Sequence, residues 1–129
     1  MKTSEDNPAD WLLLAKERLE SADALFAARG ACFSAVELLQ ESVERYLKGF
    51  LVSRSWQLER IHDLNRLLDL ATAHRADFSR FQQLARSLTE QFWEQHYPGG
   101  DLDEVGQDYP DLRQALGELV ALVESAIAP

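Results

Sequence analysis

Three polar side chains stand four residues apart in the stretch ACFSAVELLQESVERYLKGFLVS, residues 31–53: Gln40, Glu44 and Lys48. In a helix that spacing sets them in one line. An amide, a carboxylate and an ammonium so placed can hold a polar ligand, pair with one another, or specify a packing partner. Around them Cys32, Val36, Leu39, Val43, Tyr46, Leu47 and Phe50 recur at three- and four-residue spacing and fill one broad apolar arc. Gln40 falls inside that arc, Glu44 at its edge and Lys48 just beyond it. A buried amide or carboxylate is costly unless something satisfies it. Two readings follow. In one, the line is an edge stripe in which Glu44 pairs with Lys48 and Gln40 reaches a neighbouring backbone group. In the other, it specifies one packing partner or a site.

Other groups capable of chemistry are scattered. His62, His74 and His96 have no helical metal-ligand spacing, and His74 sits in a polar turn. Glu37, Glu41 and Glu44 with Gln40 evoke a di-metal bundle, but such a site needs Glu-x-x-His pairs, and none occurs. The segment DLDEVG, with Asp101, Asp103 and Gly106, opens like a calcium loop and then fails: Val105 takes the fifth ligand position and Leu112 the place of the bidentate glutamate. There is no Gly-rich phosphate loop, no HExxH and no nucleophile elbow. The single cysteine, Cys32, lies in the apolar arc and reads as core, which excludes an internal disulfide. No metal and no cofactor is expected.

The elements that must position these groups are helical. Asn7 before Pro8 is a cap followed by a proline at a position where its missing N–H costs nothing. Trp11, Leu12, Ala15, Leu19, Ala22, Leu25 and Phe26 then mark a helix to about Ala28, with Leu13 off the stripe. Arg29-Gly30 turns the chain into the central helix, so the two should be antiparallel neighbours. Gly49 near the end of that helix suggests close packing. Residues 54–60 read as a loop. Asp63 caps a third helix with Leu64, Leu67, Leu68 and Ala71 inward, and 72–75 reads as a turn. A fourth helix starts near Asp77, with Phe78, Phe81, Leu84, Ala85, Leu88 and Phe92 inward. It stops at the corner HYPGG, His96 to Gly100. An acidic loop over 101–110 and a last helix from Asp111 to Ala126 complete the chain. The expectation is one all-α domain over residues 1–129, an antiparallel up-and-down helical bundle of about five helices with its core between residues 8 and 127.

Thirteen Lys and Arg against 22 Asp and Glu leave a net charge of −9, which works against adhesion to nucleic acid or to an anionic membrane. The acidic opening MKTSEDNPAD is unlike a signal or transit peptide, and no apolar run spans a bilayer. A soluble cytoplasmic protein with no DNA or membrane partner is expected.

Order and spacing of these features resemble the HEPN family (higher eukaryotes and prokaryotes nucleotide-binding domain). The resemblance lies in the opening WLLLAKERLESADAL; in LLQESVERYLKGFL with its Gln-x-x-x-Glu-x-x-x-Lys line; in the His-x-Leu-x-x-Leu-Leu segment at His62, Leu64, Leu67 and Leu68; and in the late corner, Arg-Tyr-Pro in many members. It covers roughly Asp10 to Ala126. It implies a helical bundle that dimerises, encoded beside a minimal nucleotidyltransferase, the pair often acting as a toxin–antitoxin module. It also implies nucleotide or RNA as ligand classes, since many members are metal-independent ribonucleases with an Arg-x(4–6)-His motif.

At that motif the chain departs from the pattern. The only arginine before His96 in its helix is Arg86, roughly 15 Å away at about 1.5 Å rise per residue. Histidine also stands where Arg-Tyr-Pro members have arginine. A non-catalytic binding and assembly module is therefore the leading expectation, with Gln40, Glu44, Lys48, His62, Trp93 and Tyr97 as binding or assembly residues. The alternative is a ribonuclease toxin with a degenerate site around His96 and Tyr97. Trp93 lies about 100° from Phe92, off the core arc of its helix. This, with Tyr97 just beyond, points to a homodimer interface near the end of the fourth helix.

Overall fold

The computed structural model describes the backbone of residues 1–94 and 98–127, and the side chains of all of these except Trp93 and Glu94. The described chain is all-α, as expected: α1 (Pro8–Arg29), α2 (Phe33–Ser53), α3 (Leu64–His74), a 3-10 segment (Ala76–Phe81), α4 (Gln82–Glu94) and α5 (Leu102–Ile127). No helix among the described residues is long and apolar enough to cross a membrane.

The first hairpin follows from its caps. The Asn7 side chain accepts from the Ala9 N–H at 3.0 Å, with Pro8 at the first helical position. Gly30, at φ +76°, closes α1 by donating to the Phe26 carbonyl at 2.7 Å. Only Ala15, Leu19 and Ala22 of α1 are buried, whereas most of α2 is. The reason is position: α2 packs against α1, α3, α4 and α5. The Ser42 hydroxyl donates to the Ala15 carbonyl at 2.9 Å, a buried peg between the two helices. At Gly49 the two helices approach closely: a Cβ there would lie 3.0 Å from Trp11 Cβ and 3.1 Å from Leu12 Cδ2. Leu13 is exposed, as its phase requires.

Helix α2 ends without glycine. Ser55 takes the left-handed conformation (φ 66°), and Ser55 and Trp56 donate back to the Val52 and Leu51 carbonyls at 3.0 Å each, the closure that glycine usually serves. Residues 56–63 form the loop into α3, capped by Asp63, whose carboxylate accepts from the Asn65 N–H at 2.9 Å. Three expectations need correction here. The turn at 72–75 is still helix as far as His74. The fourth helix begins as a 3-10 segment, which lets Phe78 lie 4.5 Å from Phe50, ring to ring. Cys32 is half-buried at the start of α2 and not in the core, because the helix begins one residue later and the arc is not covered at its end.

The largest correction is α5. The acidic segment 101–110 is not a loop but the start of a helix running to Ile127, with Pro110 inside it. Asp101 starts it: its carboxylate accepts from the Asp103 N–H at 2.9 Å and from the Glu104 N–H at 3.3 Å. Asp103 and Glu104 then suit the positive end of the helix dipole. The buried residues Val105, Tyr109, Leu112, Leu116, Leu119 and Val123 alternate four- and three-residue steps, one continuous stripe across the proline. Pro110 deprives the Gly106 carbonyl of its partner, but both residues are exposed, so water can serve that carbonyl.

Tyr109 is 2% exposed and stacks on Phe26 at 4.8 Å, yet its hydroxyl has no hydrogen-bond partner among the described residues. Burial, reinforced by the Asp23 carboxylate, pushes its pKa up to about 12. The phenol therefore holds its proton in the folded chain between pH 10 and about 12, where the unfolded chain loses it. Its contribution is complete below pH 10 and is lost as pH rises toward 12. Tyr109→Phe should be neutral or slightly stabilising near pH 7 and should reduce the fall in stability over that alkaline window, as read by urea melts. In Gly49→Ala, helix propensity favours alanine by about 1 kcal/mol. The new methyl meets a Cβ fixed to the α1 backbone, however, and a net loss of about 1–3 kcal/mol is expected in the same assay.

Candidate functional site

The polar line of α2 is more deeply covered than an edge stripe would be. Gln40 is 5% exposed, Glu44 8% and Lys48 4%. Two neighbours cover it. The first turn of α1 lays Trp11 over Lys48, with Nζ 5.8 Å from the ring centroid. The indole is held in turn by its Nε1, which donates to the Glu5 carbonyl at 2.8 Å. From the other side the loop before α3 brings His62 onto Glu44.

Glu44 is the hub of this arrangement. Its Oε2 accepts from Lys48 Nζ at 3.2 Å. Its Oε1 and Oε2 lie 3.2 and 3.3 Å from His62 Nδ1. Toward an ionised carboxylate Nδ1 is the donor, and Nε2 makes no hydrogen bond among the described residues. The His62 side chain is 78% exposed, so that nitrogen is presented outward. The pairing of Glu44 with Lys48 occurs as the edge-stripe reading has it, but Gln40 finds no backbone partner among the described residues.

Beside this cluster lies a cavity of about 370 Å³ lined by Gln40, His62, Asp63, Asn65, Thr89 and Phe92. It is built from α2, the start of α3 and the end of α4. The Thr89 hydroxyl is directed back to the Ala85 carbonyl at 2.7 Å, leaving its oxygen as an acceptor. A larger hollow of about 420 Å³ lies between the 3-10 segment, α4 and α5. Among the described residues its wall has one cation, Arg80, which is engaged by Glu118 at 3.2 Å.

The structure thus brings together four of the expected site residues, Gln40, Glu44, Lys48 and His62. The Trp93 side chain, His96 and Tyr97 lie outside the described residues. Sequence reasoning took Trp11 and Phe92 for core and Asp63 for a cap only, and it passed over Asn65 and Thr89. Nothing in a single helix stripe marks a residue as the wall of a cavity between three elements.

Buried and paired, the Glu44–Lys48 couple should be intolerant of losing one member. Glu44→Leu strands the Lys48 ammonium and should cost about 3–5 kcal/mol, whereas Glu44→Leu with Lys48→Leu should recover most of that loss. A double-mutant cycle in urea with no coupling would show that the pair contributes nothing.

The HEPN domain model matches residues 8–126. The crystal structure of an archaeal HEPN homologue superposes with a TM-score of 0.73 at 25% identity, over 99% of this chain and 100% of that one. No curated protein matches the chain. With the family model matched over residues 8–126 and the helical fold shared along the chain, this chain belongs to the HEPN family.

Proposed function

We propose that this HEPN domain is a non-catalytic binding and assembly module that works as a homodimer with a minimal nucleotidyltransferase, in a pair of toxin–antitoxin type. One observation carries the non-catalytic part. Among the described residues, the wall of the cavity beside His62 contains no lysine or arginine, and the nearby ammonium of Lys48 is committed to Glu44. Cleaving a phosphodiester requires charge stabilisation at the phosphate. The cavity instead offers neutral hydrogen-bonding groups and an aromatic ring, which suit recognition. The nucleotidyltransferase and the homodimer come from the family resemblance, and the position of Trp93 off the core arc supports the dimer.

Co-expression with the product of the adjacent gene, followed by intact mass analysis, should return one complex containing both chains. Alone, the protein should sediment as a dimer that Trp93→Ala weakens. Cleavage of RNA by the purified protein, abolished by His96→Ala, would replace this reading with the ribonuclease one.

A further inference from the structure

We infer that the groove between the 3-10 segment, α4 and α5 is a docking surface for an amphipathic helix of a partner protein whose edge carries Lys or Arg. The groove shares no residue with the cavity beside His62, so the inference stands apart from the reading above.

The groove comes from the way the helices share α2. Both α4 and α5 pack on α2, but they meet each other only slightly, and the hollow of about 420 Å³ lies where they part. Its floor is apolar: Phe81, Leu84 and Leu112 are buried, and Ala115 is half-buried beside them. Two helical walls over such a floor are the form that receives a third helix, whose ridge of side chains settles between theirs.

Charge decides the occupant. On α5, Asp108, Asp111, Ala115 and Glu118 follow in steps of three, four and three residues, so they run in one line along the groove. At the helical rise that line is roughly 15 Å long. Asp111 is exposed and in no ion pair among the described residues. Asp108 is half-buried, and its Oδ2 accepts from Gln91 Nε2 at 3.4 Å, a neutral donor that leaves the charge uncompensated. Glu118 is engaged by Arg80 at 3.2 Å, and that guanidinium lies over the Phe81 ring at 5.0 Å. The α4 wall is neutral, with Gln83 Nε2 donating to the Ser87 hydroxyl at 2.8 Å.

A second copy of this chain on the same face would set Asp108 and Asp111 against a like-charged wall, which opposes association. The net charge of −9 adds to that repulsion and favours encounter with a basic partner. A helix with apolar residues toward the floor and cations opposite Asp108 and Asp111 satisfies both halves of the groove.

A synthetic peptide of roughly 18 residues, long enough to hold a helix, tests this. It carries Leu and Ala on one face and Lys at i, i+3 and i+7 along its edge. Fluorescence anisotropy of the labelled peptide, titrated with the full chain, should show one site whose affinity falls with added salt. The same peptide with Glu for Lys should bind about tenfold more weakly or not at all. Asp108→Asn with Asp111→Asn should weaken the Lys peptide about tenfold, the change expected of two exposed ion pairs. Glu37→Gln with Asp69→Asn removes the same charge from exposed positions elsewhere and should leave binding within about twofold. Ala115→Arg fills the floor and supplies a cation from within, so it should abolish binding while the thermal melt stays cooperative. No binding, an equal loss in the Glu37→Gln, Asp69→Asn control, or binding unchanged in either folded groove variant overturns the proposal. Spermidine that displaces the peptide at equal concentration overturns it as well, because charge without an apolar face would then suffice. If Ala115→Arg turns a sedimenting dimer into a monomer, the occupant is a second copy and the partner helix is lost. None of these readouts uses the nucleotidyltransferase, so failure of that pairing is scored separately.

Discussion

A carboxylate removed from water must be compensated on every side from which water has been excluded, and Glu44 is met from two. Lys48 reaches it along α2, and His62 reaches it from the loop ahead of α3. Lys48 would itself be an unpaired buried cation without Glu44, and Trp11 of α1 covers it on its far side. The single hub therefore ties three parts of the chain that are remote in sequence: the first turn of α1, the middle of α2 and the approach to α3. Apolar packing alone holds that approach weakly, because no residue of the loop over 56–63 is fully buried and only Trp56 and Ile61 pack against the core in part. Fixing His62 also sets the start of α3, and with it one wall of the cavity that Gln40 faces.

The fold was legible wherever local chemistry and periodicity agreed. Asn7-Pro8 and Gly30 marked α1 because cap and stop act within one turn, and Asp63 marked α3 for the same reason. The start of α5 was not legible. Its first turns are acidic and contain Gly106 and Pro110, residues that weigh against helix in isolation, while only two inward positions, Val105 and Tyr109, precede the proline. Tertiary burial of Val105 and Tyr109 overrode propensity. The end of α2 at Ser53 was legible from where the apolar period lapses, although Ser55 performs the closing task usually given to glycine.

The candidate site was half legible. The i, i+4, i+8 spacing placed Gln40, Glu44 and Lys48 in one line, and the phase put Gln40 inside the apolar arc. Depth was beyond reach, because whether the flank of a stripe is wet depends on what a loop and a neighbouring helix lay over it. Trp11 and His62 decide that, from 37 and 18 residues away in the case of Lys48 and Glu44 respectively. The cavity itself is a property of three elements together, and Thr89 and Phe92 differ from ordinary inward residues of α4 only by what happens to lie opposite them.

The hairpin of α1 and α2 has a kinetic consequence. Its partners are close along the chain: a short connection through Gly30 separates the two helices, and the Ser42 hydroxyl finds the Ala15 carbonyl after one reversal. Helix α5 must instead return across the full length of the intervening bundle to reach α2, and loop closure costs more entropy the longer the chain between partners. Local contacts form before distant ones compensate for their closure. The hairpin is thus the natural folding nucleus, and α5 is the element that seals it. Mutations at the Ala15–Ser42 contact should change the folding rate, while those at Leu119 should act mainly on unfolding.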